Sequence, residues 1–208
     1  MSLEWMLIRG SGLVAFGLLA AATIWGLVLS LGVLPRSTKR LTFLHESLSV
    51  GALLATCTHM VALYLHDFLE FSAVEVLVPG ASDWRPVAVA WGGVAFYGMV
   101  LVTVSFYLRA HIGQRNWRLL HFAAFGVFGG AAVHGVMAGT DTTHPAVMAL
   151  YVGTVAIVIG LIALRLLSAA ASSRTTPDAT AARTRPSGTS RAAAIAAARE
   201  AADAASEA

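Results

Sequence analysis

Four histidines stand inside stretches that are otherwise apolar. His45 and His59 lie 14 residues apart, in Leu44-His45-Glu46-Ser47 and Thr58-His59-Met60. His121 and His134 lie 13 apart, in a segment that also holds Gly126, Gly129, Gly130 and Gly135. An imidazole in hydrocarbon is costly unless something binds it, so an intramembrane histidine points to function by default. Imidazole nitrogen is a good donor to transition metals. Two pairs with nearly equal spacing suggest a shared ligand at each of two depths.

The elements that must position these side chains are membrane helices. Of 208 residues, 57% are hydrophobic and 12% charged, and the mean hydropathy is +0.73. A soluble domain carries about 25% charged residues. Apolar runs cover residues 11–35, 41–65, 87–108, 119–139 and 145–167. Each reaches the roughly 20 residues that a bilayer crossing needs. An all-α integral bundle of five transmembrane helices is therefore expected. The first run is too long for a signal peptide, and its heavier positive flank lies on the C-terminal side. Trp84-Arg85-Pro86 opens the third run with proline in the first turn, and Asp141 to Pro145 reads as an N-cap followed by proline.

Loop charges orient the bundle. Arg36, Lys39 and Arg40 join the first two runs, Arg109, Arg115 and Arg118 join the third and fourth, and Arg165 and Arg174 begin the tail. The connection between the second and third runs carries Asp67, Glu70, Glu75 and Asp83 against Arg85 alone. Positive loops stay in the cytoplasm, which predicts an N-terminus outside and a C-terminus inside a multi-pass cell (plasma) membrane protein. The apolar stretch 71–80 predicts a short interfacial helix over the outer face. Single Cys57 excludes an internal disulfide and reads as a small buried hydrophobe. The formal charge of +3 sits in loops and tail and gives no nucleic-acid signal. Residues 1–168 form the expected membrane domain and 169–208 an Ala/Arg-rich cytoplasmic tail. Disorder is expected over 169–190 and a short exposed helix over 191–207. The tail reads as a solvated extension, with binding to a partner or to anionic lipid as the alternative.

In this orientation His45 and His121 lie near the inner face and His59 and His134 near the outer one. At 1.5 Å per residue the two levels are about 20 Å apart. Two b-type haems, each iron taking one imidazole from each helix, fit that layout. Fourteen residues return His59 to within about 40° of His45, whereas thirteen leave His134 about 140° from His121 on an ideal helix. A kink or π-bulge at Gly126, Gly129 and Gly130 is the expected remedy. Ordinary helix contacts or a proton relay are the competing roles for these histidines. His66 is expected at the outer surface, with a role as substitute ligand the alternative. His111 is expected to be solvated and His144 to start a helix. Arg40 and Arg118 near the inner pair, Arg115 slightly farther, and Arg9 near the outer pair are candidate partners for haem propionates, or else headgroup-facing charges.

Over residues 8–167 the chain resembles the ferric reductase-like transmembrane domain superfamily, which includes ferric reductases, NADPH oxidases and the haem-binding subunit of methionine sulfoxide reductase systems. The likeness rests on Arg9-Gly-Ser-Gly12, Leu44-His45 with His59, and Trp117-Arg-Leu-Leu-His121 with His134. It implies an inner haem on His45 and His121, an outer haem on His59 and His134, and Arg9 beside the outer one. Where oxidases carry a further histidine one turn after the outer ligand, this chain has Leu63. No dinucleotide fingerprint follows the fifth run. Electrons are thus expected from a separate flavoprotein reductase carrying FAD or FMN, or from quinol, and the expected extracytoplasmic acceptor is ferric iron, oxygen or a periplasmic redox partner. The alternative function is a non-catalytic haem-binding anchor or sensor subunit; a transporter or proton channel is a third.

Overall fold

A computed structural model describes residues 3–33, 38–66 and 71–175, and in the tail residues 193, 195, 196, 198 and 199. The described residues are helical and contain no strand. Helix α1 spans Leu3–Leu31, α2 Thr38–Tyr64, α3 Ala73–Leu77, α4 Pro86–Tyr107, α5 Arg109–Ile112, α6 Gln114–His121, α7 Ala123–Ala138 and α8 Pro145–Thr175. With α6 and α7 taken as one span, five helices are long and apolar enough to cross a membrane.

Each boundary has a local cause. Helix α1 begins eight residues before the expected 11, because Trp5 to Ile8 is apolar, Glu4 stands favourably in the first turn and Arg9 has a counter-charge, as described below. It ends at Leu31 with Gly32 at φ +69°, a left-handed exit that favours glycine. A short helix, α3, is present within the stretch 71–80. Ser72 caps it by accepting from the Glu75 amide while the Glu75 carboxylate accepts from the Ser72 amide, so two otherwise orphaned donors are satisfied. Pro86 occupies the first turn of α4 as expected, and Arg85 before it adopts a left-handed conformation at φ 44°. Helix α8 runs past the expected end at Leu167 to Thr175, because Ala169, Ala170 and Ala171 have the highest helix propensity. The expectation of disorder is thereby corrected for 169–175; 176–190 lies outside the described residues. Ala193, Ile195, Ala196, Ala198 and Arg199 are helical and exposed.

The chain divides into a unit Met1–Arg165, which holds all seven histidines, and a unit Leu166–Ala208. Within the first, α1 packs most extensively on α2, and α4 on α7. Phe16, Ala20, Leu27, Phe128, Ala132, Tyr151 and Val158 form one buried cluster and Ala52, Met99 and Val127 another. Large apolar side chains such as Phe43, Leu54, Val61 and Leu101 face outward at half exposure or more, as a lipid-facing surface requires.

The fourth span breaks between α6 and α7, at Phe122. The Phe122 amide donates to both Arg118 (3.3 Å) and Leu119 (3.2 Å), and the Phe125 amide donates to Phe122 (3.2 Å). These i to i+3 bonds tighten the turn to about 120° per residue, some 20° more than an α-helix, and so carry His134 toward the face of His121. The glycines do not make this break. Gly126, Gly129 and Gly130 lie inside α7, where the first two face open space and Gly130 admits Ala95 and Trp91 of α4.

Candidate functional site

Three of the four histidines dock on a neighbouring helix by one recurrent device. His45 Nδ1 donates to the Ala22 carbonyl (3.0 Å), His59 Nδ1 to Ile8 (2.9 Å) and His134 Nδ1 to Ala88 (2.8 Å). Each acceptor is followed four residues later by glycine: Gly26, Gly12 and Gly92. A carbonyl in a helix bonds the amide four residues on and keeps a second lone pair, which that residue's side chain would ordinarily shield. With glycine there, the imidazole reaches it. A Cβ on Gly26 would stand 3.0 Å from the His45 ring, on Gly12 3.2 Å from His59, and on Gly92 2.7 Å from His134.

This docking fixes a tautomer. A carbonyl only accepts, so Nδ1 carries the proton and Nε2 is left with a bare lone pair. That is the state in which imidazole binds a metal, with the other nitrogen oriented by an outer hydrogen bond.

The rings meet in pairs across the bundle. His45 faces His121 with centroids 6.0 Å apart and planes at 71°; His59 faces His134 at 6.4 Å and 75°. Each pair brings two imidazoles close enough that one metal-centred group, such as a haem, would be held between them. Among the described residues no group of three or more His, Cys, Asp or Glu side chains gathers to hold a bare ion.

A cavity of about 480 Å³ surrounds the His59–His134 level, within the range of organic cofactor sites. Gly12 and Gly92 open its walls, and Arg9, Phe71, Trp84 and Tyr151 line it. Tyr151 packs so close to Gly135, beside His134, that a Cβ there would overlap the phenol. Arg9 pairs in bidentate fashion with Asp141, tying α1 to the connection before α8. Asp141 therefore does not cap α8; the His144 ring accepts from the Ala146 amide instead (3.3 Å). Arg85 donates to the Met137 carbonyl (2.5 Å), three residues past His134, and lines the same cavity.

Arg40 and Arg118 are exposed and pair with no other described residue, and Arg115 is exposed as well. His111 is exposed. His66 is 6% exposed and sits edge-on to Trp5 at 5.8 Å, so its expected surface position is corrected: the start of α1 covers it. It does not line the cavity. Cys57 is half-buried and free. The docking glycines and Arg85 are features that a reading of histidine spacing misses. Gly12 and Gly26 nevertheless repeat the 14-residue interval of His59 and His45, which is a usable signal.

Compared with known proteins, the chain matches no family model, no curated protein and no solved structure.

Proposed function

We propose that this chain is a di-haem cytochrome b of the membrane, and that it moves electrons between the two faces of the bilayer. One observation carries the reading: two facing imidazole pairs, His45 with His121 and His59 with His134, with ring centres 6.0 and 6.4 Å apart. Haem iron would supply one-electron redox chemistry at each level. The chain's own residues do the rest. His45 and His121 would hold the inner group and His59 and His134 the outer one. The carbonyls of Ala22, Ile8 and Ala88 hold three of these rings in register. Gly12, Gly26 and Gly92 leave room for those rings, and the apolar lining excludes water.

Arg40 in the first turn of α2 and Arg118 in the last turn of α6, three residues before His121, are exposed and would meet the inner propionates. At the outer level Arg9 serves through its pair with Asp141, and Arg85 is a second cation. The N-terminus would lie outside and the C-terminus inside the plasma membrane, by the distribution of basic loops. The likeness of Arg9-Gly-Ser-Gly12 and of the histidine spacings to ferric reductase-like proteins supports the same reading. The donor would be a separate flavoprotein carrying FAD or FMN, or quinol. The acceptor would be ferric iron, oxygen or a periplasmic redox protein.

Proteoliposomes with ferricyanide enclosed and dithionite outside test this. The wild-type protein should reduce the enclosed ferricyanide, and either His45→Ala or His59→Ala should stop it. Equal rates in wild type and both variants would overturn the reading.

A further inference from the structure

Three histidines reach a carbonyl on a neighbouring helix; the fourth does not. His121 Nδ1 is buried and has no hydrogen-bond partner among the described residues. The corresponding station of α4 differs from the other three. Fourteen residues past Ala88 stands Val102, about 21 Å along the axis and within about 40° of the same face, which is the level of His121. Its carbonyl already accepts from the Ser105 hydroxyl (2.7 Å). Four residues past Val102, where the other three stations have glycine, stands Phe106. The Phe106 ring packs on Trp117 (6.3 Å), and the Trp117 indole stacks on His121 (5.2 Å, 29°). Trp117 Nε1 is buried and unpartnered too, and as a pure donor it cannot serve His121.

We propose that the haem on His45 and His121 has the higher reduction potential of the two, and that Ser105 and Phe106 set the difference by denying His121 the carbonyl acceptor its three counterparts have. This rests on the bis-histidine reading above. An Nδ1–H that donates to a carbonyl makes the ring a more basic ligand and stabilises ferric iron, which lowers the potential. The outer level has two such ligands and the inner level one. The inner site therefore accepts an electron more readily, and transfer from it to the outer site is uphill by that difference. Ser105 and Phe106 act as positioning residues, since neither touches the ligand nitrogen.

Redox titration followed by absorbance tests this in two steps. His59→Ala should leave only the inner haem and His45→Ala only the outer one. The inner haem should be reduced with an equilibrium constant about tenfold larger, a difference of 59 mV for a one-electron couple. Adding Ser105→Ala and Phe106→Gly to the His59→Ala protein should lower the inner potential toward the outer value. Ser105→Ala with Phe106→Ala, which removes the ring and keeps a Cβ in the slot, should leave it unmoved. Equal potentials, or an inner value below the outer, in proteins that each retain one haem would overturn this inference alone. Proteins that bind no haem, or single variants that keep both, would overturn the parent reading and this one with it.

Discussion

Gly92→Ala is the smallest change that should empty one level of the bundle. Its new Cβ would stand 2.7 Å from His134 Nδ1, 2.8 Å from Cε1 and 3.0 Å from Cγ. Unbonded heavy atoms settle at about 3.5 Å or more, so the ring must retreat by about 0.8 Å. A retreat of that size takes the 2.8 Å bond to Ala88 toward about 3.6 Å, beyond hydrogen-bonding range. A buried donor left without its acceptor costs about 1–3 kcal/mol. Loss of such an orienting partner lowers metal affinity by about 10- to 100-fold. The pyridine haemochrome assay on purified protein should therefore count close to one haem per chain instead of two, the outer one missing. Gly126→Ala is the matched control, because nothing lies within 4 Å of a Cβ there, and it should keep both. A Gly92→Ala protein with two haems and an unaltered spectrum would refute the docking argument, as would equal losses in both variants.

The Arg9–Asp141 pair is about three-quarters buried, so Asp141→Asn leaves an under-compensated guanidinium. The cost should be about 1–3 kcal/mol, read as a fall in Tm of about 2–4 °C for each kcal/mol; an unchanged Tm in detergent would count against the pair. Glu75 lies outside the membrane spans. Hydrogen bonds from the Ser72 amide and hydroxyl and from the Asp83 amide hold its carboxyl below the usual carboxylate range. A depressed folded-state value means that the stabilisation of α3 is complete above the ordinary carboxylate range and is lost as pH falls through the depressed value. Protection of the 73–77 amides, taken relative to the intrinsic exchange rate at each pH, should fall on acidification below about pH 4, and Glu75→Gln should show no such step; constant protection in wild type would contradict the cap's role.

The spans were legible because a bilayer sets a minimum apolar length, and the levels of the histidines followed from a fixed rise per residue. So too the short helix at 73–77, within the apolar stretch 71–80, although its start at the Ser72–Glu75 capping box shows only in the structure. What stayed hidden depends on how helices face one another. The turn at Phe122 arises from bifurcated backbone bonds that no side chain announces, while the conspicuous glycines of α7 only mark close or open packing. The stretch Asp141 to Pro145 suggests an N-cap before proline, but nothing in it shows that Asp141 pairs with Arg9, 132 residues away in sequence. His66 was placed at the surface by its neighbour Asp67, although Trp5 of α1 covers it. The docking glycines were visible as letters, but nothing in a single helix tells which carbonyl a distant imidazole will meet. The recurrence of one interval in Gly12–Gly26 and His45–His59 was the available clue.

The difference spectrum of dithionite-reduced against oxidised protein, read with the haem count, tests the central claim most directly. Paired b-type bands are expected with two haems per chain in wild type and one in His59→Ala. No b-type band in the wild-type protein, or two haems retained without His59, would contradict the claim that these four histidines form two iron sites.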